Sequence, residues 1–100
     1  MPELLDPGAL EAAITGADGL GGLRWELTGG ALARTVVLGS FAQALGYVVT
    51  VGALAEAANH HPDIDVRYRA VTLRLSTHDA SGITALDVAL ARRIDAATPA

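Results

Sequence analysis

The sequence predicts a single α+β domain in which three helices and two β hairpins follow the order α-β-β-α-β-β-α. Two pairs of short segments alternate apolar and polar residues, which is the pattern of half-buried strands. Three other segments begin with residues that cap helices, and two of these carry apolar residues at helical spacing. The chain has 100 residues, 51% of them hydrophobic, which suits one domain over residues 1–100 with a modest core.

Composition argues against several classes of function. The net charge is −4, and the seven basic residues, all arginine, are too dispersed to form the basic stripe of a nucleic-acid-binding protein. Cysteine is absent, which excludes disulfides and thiolate metal sites. The longest uncharged apolar run, residues 41–55, is short for a membrane span. The first residues lack the features of a signal peptide. We therefore expect no nucleic-acid partner, no membrane association and a cytoplasmic location.

The first part of the chain predicts one helix and one hairpin. Asp6 is a suitable N-cap for a helix over residues 7–14. Residues 16–22 hold four glycines and are expected to form a loop. Two alternating segments follow, joined by the turn signal Gly29-Gly30. The expected strands are residues 23–27 and 31–38.

The second helix is predicted to begin at Ser40 and to fray near Asn59. Ser40 and Gln43 match a capping box, in which each side chain satisfies a backbone N–H near the helix start. The β-branched segment 47–51 leaves a strand as the alternative, but the cap and the length favour a helix. The face assigned to the core holds Phe41, Leu45, Val48, Gly52 and Ala55. The remaining apolar residues, which need another partner such as a second subunit, are Ala42, Val49, Ala53 and Leu54.

Residues 64–68 and 71–77 predict the second hairpin, with a two-residue turn at Arg69-Ala70. The predicted cross-strand pairs are Tyr68 with Val71, Val66 with Leu73, Ile64 with Leu75 and Asp65 with Arg74. Continued in the same register, the pairing places His61 directly opposite His78. A slip of one residue would place every apolar side chain opposite a polar face, so the matched faces support this register.

The last helix is predicted over residues 84–96, after a turn at Ser81-Gly82. Thr84 and Asp87 form a T-x-x-D cap, and capping alone is enough to account for Asp87. The predicted core stripe of this helix, at i, i+4 spacing, is Leu86, Leu90 and Ile94.

The three histidines of the chain, His60, His61 and His78, cluster in one part of the sequence. Histidine titrates nearest to neutral pH, so proton transfer is the first interpretation; zinc binding and a structural role are the alternatives. Adjacent residues of a strand point to opposite faces, which makes His60 and His61 a poor pair of metal ligands unless the backbone turns there. Glu56 lies four residues before His60, where a helix would let it orient that ring. Trp25, the only tryptophan, fits the core better than a site.

These residues resemble the signature of the pterin-4a-carbinolamine dehydratases, also called 4a-hydroxytetrahydrobiopterin dehydratases. That signature is an acidic or polar residue, three positions, His-His-Pro, an aromatic residue, a second histidine and a later Asp at fixed spacings. The matching residues here are Glu56, His60-His61-Pro62, Tyr68, His78 and Asp87. Upstream, Trp25 and the helix from Phe41 match a looser pattern. Some members carry an acidic residue and Trp after the proline, where this chain has Asp63-Ile64.

The resemblance implies a four-stranded antiparallel sheet covered on one face by helices, and association into dimers or tetramers. It implies dehydration of a 4a-hydroxytetrahydropterin to quinonoid dihydropterin by histidine acid–base catalysis, in tetrahydropterin recycling beside a pterin-dependent hydroxylase, with no metal or cofactor. Its essential histidines map onto His60, His61 and His78. Its substrate-binding segments map onto Asn59, His60, His61, Ser76, Thr77, His78 and Asp79. The residues expected to support the site are Glu56, Trp25 and Asp87.

The alternative is a protein-binding module, because members of this fold also act as dimerisation cofactors of a transcription factor and as assembly chaperones. Non-enzymatic relatives are expected to lose part of the histidine set, which is complete here. The residues leave open which pterin is the substrate and which histidine is the acid or the base.

Overall fold

The computed structural model describes residues 3–99, and its elements follow the predicted order. They are α1 (Pro7–Thr15), β1 (Glu26–Thr28), β2 (Ala31–Val37), α2 (Phe41–Ala58), β3 (Asp63–Arg67), β4 (Ala70–Leu75) and α3 (Ala85–Ala97). One turn of 3-10 helix, His78–Ala80, lies between β4 and α3. The order α-β-β-α-β-β-α is confirmed.

The four strands form one antiparallel sheet in the order β1-β2-β4-β3, so the two hairpins join through β2 and β4. Alternate residues of these central strands are buried on one face against the helices: Leu32, Val36, Val71, Leu73 and Leu75. The opposite face is more polar, and the Thr35 and Thr72 hydroxyls share a 2.8 Å hydrogen bond on it. The predicted sheet, covered on one face by helices, is confirmed.

The predicted register of the second hairpin is wrong by two residues. Its turn is Tyr68-Arg69, with Tyr68 in the left-handed region at φ 53°. Val66 therefore pairs with Val71, and Ile64 pairs with Leu73. The slip is an even number of residues, so the side chains that stay in the two strands keep their predicted faces. Tyr68, which was predicted to pair with Val71, lies in the turn and is exposed.

The neighbouring strand explains where this turn lies. β2 pairs with β4 as far as Val37 with Ala70, and the Leu38 N–H donates to the Arg69 carbonyl at 2.9 Å. This ladder holds Ala70 in a strand rather than in the turn. The predicted pairing of His61 with His78 is also wrong. β3 begins at Asp63, after His61, and β4 ends at Leu75, before His78, so neither histidine is part of the ladder.

The first strand is shorter than predicted, because residues 23–25 hydrogen-bond to helices instead of to β2. The Leu23 N–H donates to carbonyl groups at the end of α1. Asp95 of α3 accepts from the Arg24 N–H at 3.1 Å and from the Trp25 indole N–H at 2.7 Å. The same carboxylate forms an ion pair with Arg34 of β2. Leu23 and Trp25 are therefore buried without being part of the sheet.

Helix α2 is confirmed, but the face that it buries differs from the prediction. Its buried residues are Ala44, Tyr47, Val51 and Ala55. The predicted core residues Phe41 and Leu45 are instead about half exposed, at 49% and 45%, and Val49 is 72% exposed. These three side chains, four residues apart, form one stripe on the solvent side, which we call the α2 outer stripe.

The start and the middle of α2 are anchored by polar contacts. Ser40 Oγ accepts from the Gln43 N–H at 3.1 Å, and Gln43 Oε1 accepts from the Gly39 N–H at 2.8 Å. The Tyr47 hydroxyl lies 2.6 Å from Thr98 Oγ1 beyond the end of α3, and burial raises the pKa of Tyr47. By length and composition alone α2 could also cross a membrane, a test that core helices of soluble proteins pass too.

We predict that Leu73 is a major source of stability. It is fully buried at the centre of the sheet, so Leu73→Ala should lower the free energy of unfolding by about 2–5 kcal/mol. The same change at Leu20, which is 72% exposed, should alter it by less than about 0.5 kcal/mol. Urea denaturation of both variants measures the difference, and equal losses would contradict this packing.

Candidate active site

The end of α2 determines where the histidine pair lies. Asn59 adopts the left-handed conformation at φ 48° and ψ 43°, and its N–H donates to the Glu56 carbonyl at 3.1 Å. The His60 N–H reaches back to the Ala55 carbonyl at 3.1 Å. These two bonds are those of a Schellman cap, in which Asn is one of the few residues that tolerate the left-handed position. The predicted fraying is therefore wrong, since the helix ends in a defined cap.

The cap sends the two adjacent histidines to different carboxylates. His60 turns inward, and its Nε2 lies 2.6 Å from Oδ1 of the fully buried Asp87. His61 stays exposed, with its Nε2 2.6 Å from Oε1 of Glu56. The sequence predicts that Glu56 orients His60, and this is wrong, because Glu56 pairs with His61. The reason is that the left-handed Asn59 ends the helical spacing one residue before His60.

Asp87 makes three hydrogen bonds through its two oxygens. Beside His60 on Oδ1, Oδ2 accepts from the Thr84 N–H at 2.9 Å and from the Thr77 hydroxyl at 2.8 Å. The Thr77 and Thr84 hydroxyls are themselves 2.8 Å apart, and both residues are buried. The predicted capping box is present. Capping nevertheless accounts for only part of Asp87, because the same carboxylate also holds His60.

A closed loop presents the third histidine. The Thr77 N–H donates to the Gly82 carbonyl at 2.7 Å, and the Ser81 N–H donates to the His78 carbonyl at 3.0 Å. Ser81 completes the turn in the left-handed region at φ 56°. His78 and Asp79 lie on the exposed side of this loop. Within residues 3–99, the His78 ring makes no side-chain hydrogen bond.

The cap and the loop form two walls of one cavity of about 410 Å³. This volume lies within the usual range of small-molecule sites, about 300–1,000 Å³. Its lining includes all seven residues expected to bind substrate, namely Asn59, His60, His61, Ser76, Thr77, His78 and Asp79. The eighth lining residue, Leu86, was assigned to the core of α3 but is 43% exposed. Trp25 lies elsewhere, buried and bonded to Asp95.

The whole chain between residues 4 and 97 matches the family model described as pterin 4 alpha carbinolamine dehydratase. The chain belongs to the pterin 4 alpha carbinolamine dehydratase family. A protein of Roseiflexus castenholzii, provisionally named pterin-4-alpha-carbinolamine dehydratase, is 55% identical over 71 residues, which are 71% of this chain and 76% of the relative.

Solved structures agree with this membership in the family. A transcriptional coactivator/pterin dehydratase from Brucella melitensis superimposes with a TM-score of 0.85 at 26% identity, covering 97% of this chain and all of that one. A pterin dehydratase-like protein described as a RuBisCO assembly factor in the alpha-carboxysome has a TM-score of 0.60 at 24% identity. It covers 77% of this chain and 89% of its own. This second likeness shows the shared fold alone.

In this structure, the two acidic residues of the dehydratase family signature contact two of its histidines. Its acidic residue Glu56 holds one histidine of the His-His-Pro segment, and its final Asp87 holds the other. The third histidine, His78, lines the same cavity as the other two. Residues that are spread over more than 30 positions of the chain are thus brought to one place.

Proposed function

We propose that the protein is a dehydratase that converts a 4a-hydroxytetrahydropterin to quinonoid dihydropterin and water. The observation that carries the proposal is that all three histidines line one cavity, two of them held by carboxylates. The family to which the chain belongs and the names of its relatives support the same reaction.

The reaction needs two proton transfers. The bond between C4a and its hydroxyl oxygen breaks, the oxygen leaves as water after gaining a proton, and a ring N–H loses its proton as a C=N bond forms. A positioned general acid or base contributes about 10²–10⁴-fold to such steps. Histidine suits both roles near neutral pH.

The three histidines have different hydrogen-bond partners in the site. His60 is bonded to a buried carboxylate, and His61 is bonded to an exposed one. The His78 ring has no such partner within the described part of the chain. The substrate class implies a pterin-dependent hydroxylase as the source of the carbinolamine, and tetrahydropterin recycling in the cytoplasm as the setting.

Two features extend the proposal to a symmetric homodimer or homotetramer. The α2 outer stripe exposes three large apolar side chains on one helix face, and Glu56 is the only charged residue in α2. The strands β1 and β3 lie at open edges of the sheet, which invite pairing with another copy. Homo-oligomers usually form closed symmetric assemblies, and either surface would suit one.

A second candidate function is that of a protein-binding module. The α2 outer stripe would also accept a different protein, and one solved relative is called a transcriptional coactivator as well as a pterin dehydratase. The complete histidine set in a cavity favours the enzyme, because a binding role for α2 places no requirement on these side chains.

The first prediction concerns the histidines. His61→Ala and His78→Ala should each lower the rate of dehydration of a 4a-hydroxytetrahydropterin by at least about tenfold, the low side of what acid–base groups contribute. The double variant should lose less than the product of the two effects if the residues act together. Absorbance follows the turnover, and Arg69→Ala, at the distant hairpin turn, is the control. Full rates in both single variants would refute the proposal.

The second prediction is that dehydration needs no metal ion. The Nε2 atoms of His60 and His61 are already bonded to carboxylates, and proton transfer by histidine supplies the chemistry that the reaction requires. Activity should therefore survive exhaustive dialysis against EDTA, and elemental analysis should find no stoichiometric zinc. Loss of activity that added zinc restores would contradict this prediction.

The third prediction concerns assembly. Val49→Glu places a charge in the α2 outer stripe and should weaken the oligomer, whereas Thr50→Glu, at the next exposed position round the helix, should leave it intact. Light scattering at micromolar concentration measures the mass. A monomeric wild-type protein would refute the assembly, and an unchanged Val49→Glu oligomer would move the interface to a sheet edge.

A further inference from the structure

The hydrogen bonds around Asp87 run in one direction only. An ionised carboxylate accepts and cannot donate, so the single proton of the Thr77 hydroxyl must point to Oδ2. Thr77 Oγ1 is then an acceptor for the Thr84 hydroxyl. Thr84 Oγ1 in turn accepts from the Leu86 N–H at 3.2 Å. The Thr77 hydroxyl therefore donates to Asp87, and the Thr84 hydroxyl donates to Thr77.

A backbone N–H group determines the direction of these hydrogen bonds. The Thr84 N–H can only donate, and it donates to Oδ2 of Asp87. Oδ2 therefore has two donors already, and Oδ1 is the oxygen that faces His60 at 2.6 Å. With the carboxylate ionised, the group that faces Oδ1 must be a donor. His60 consequently carries a proton on Nε2.

The other ring nitrogen of His60 has a different environment. Nδ1 has no hydrogen-bond partner among residues 3–99, and no buried side-chain nitrogen in that range lacks one. Nδ1 is therefore accessible, on a ring that lines the cavity. Because Nε2 keeps its proton whether the ring is neutral or charged, protons can be exchanged only at Nδ1.

We propose that Thr77, Thr84 and Asp87 are positioning residues that make Nδ1 of His60 the atom that exchanges a proton with bound pterin. The inference rests on the proposed dehydratase function for the identity of the substrate. The assignment of the His60 proton rests instead on the hydrogen-bond geometry around an ionised Asp87. It also changes the interpretation of Thr77, whose hydroxyl is committed to Asp87 and is not available to the substrate.

Asp87→Asn gives the sharpest test. The Thr84 N–H requires an oxygen opposite it, so the amide should place its NH₂ group towards His60. Nε2 must then accept a hydrogen bond, and the proton of the neutral ring moves to Nδ1. The turnover number should fall by about 10²–10⁴-fold, the full contribution of an acid–base group, while KM changes little.

The position of the proton can be measured without any substrate. Two-bond ¹H–¹⁵N NMR correlations distinguish the two neutral forms of histidine, and the chain holds only three histidines. The His60 signals are assigned by their loss in His60→Gln. We expect the Nε2–H form in the wild type and the Nδ1–H form in Asp87→Asn.

Thr77→Val and Thr77→Ser provide a matched pair should Asp87→Asn fail to fold. Valine has the shape of threonine without the hydroxyl, and serine keeps the hydroxyl. Groups that orient a histidine ligand contribute about 10–100-fold at metal sites, so Thr77→Val should lower kcat about tenfold and speed solvent exchange of the His60 Nε2 proton. Thr77→Ser should restore both.

Three results would overturn the inference: a proton on Nδ1 in neutral wild-type His60, the same His60 form in Asp87→Asn as in the wild type, or a rise in KM without loss of kcat in Thr77→Val. A wild-type protein that does not turn over 4a-hydroxytetrahydropterin would refute the proposed function. The NMR results would still decide the placement of the proton.

Discussion

The buried carboxylate of Asp87 is the constraint on which the site depends. Taking a carboxylate out of water costs several kcal/mol unless its oxygens find donors. Here the donors come from three separate segments: Thr77 just beyond β4, Thr84 at the start of α3, and His60 at the junction of α2 and β3. Satisfying this one charge therefore brings three parts of the chain together. The cavity lies between these three segments, which are held together by their hydrogen bonds to Asp87.

Local sequence signals predicted most of the fold, and the errors arose where distant segments decide. Caps such as Ser40 act within a few residues, so the helices could be located from the sequence alone. The turn of the second hairpin depends on β2, which holds Ala70 in the ladder from more than 30 positions away. The early start assigned to β1 failed for the same reason, because Asp95, near the other end of the chain, binds Arg24 and Trp25.

In the candidate site, too, the sequence predicted which residues come together but not which of them bond to each other. The segments that the family resemblance assigns to substrate binding supply seven of the eight residues that line the cavity. The hydrogen-bond partners were not predicted, because helical spacing pairs Glu56 with His60 only if the helix continues. The sequence did contain a signal that it ends, since Asn is common at the left-handed position of a Schellman cap. Leu86 was missed because its spacing with Leu90 is that of a core stripe, although its position beside Asp87 places it at the mouth of the site.

Helix α2 contributes both to the proposed assembly, through its outer stripe, and to the candidate site, through its C-terminal cap. Its inner face lies on the sheet through Tyr47 and Val51, its outer stripe is exposed, and its cap directs both histidines. A slide of α2 by one helical turn would move the cap by about 5.4 Å, far more than a hydrogen bond of 2.6 Å between His60 and Asp87 can tolerate. The bond therefore opposes sliding of α2 along its axis, and the packed inner face opposes rotation about that axis. Anything that binds the α2 outer stripe contacts the same helix whose C-terminal cap positions His60 and His61, so the proposed assembly and the proposed chemistry share one helix.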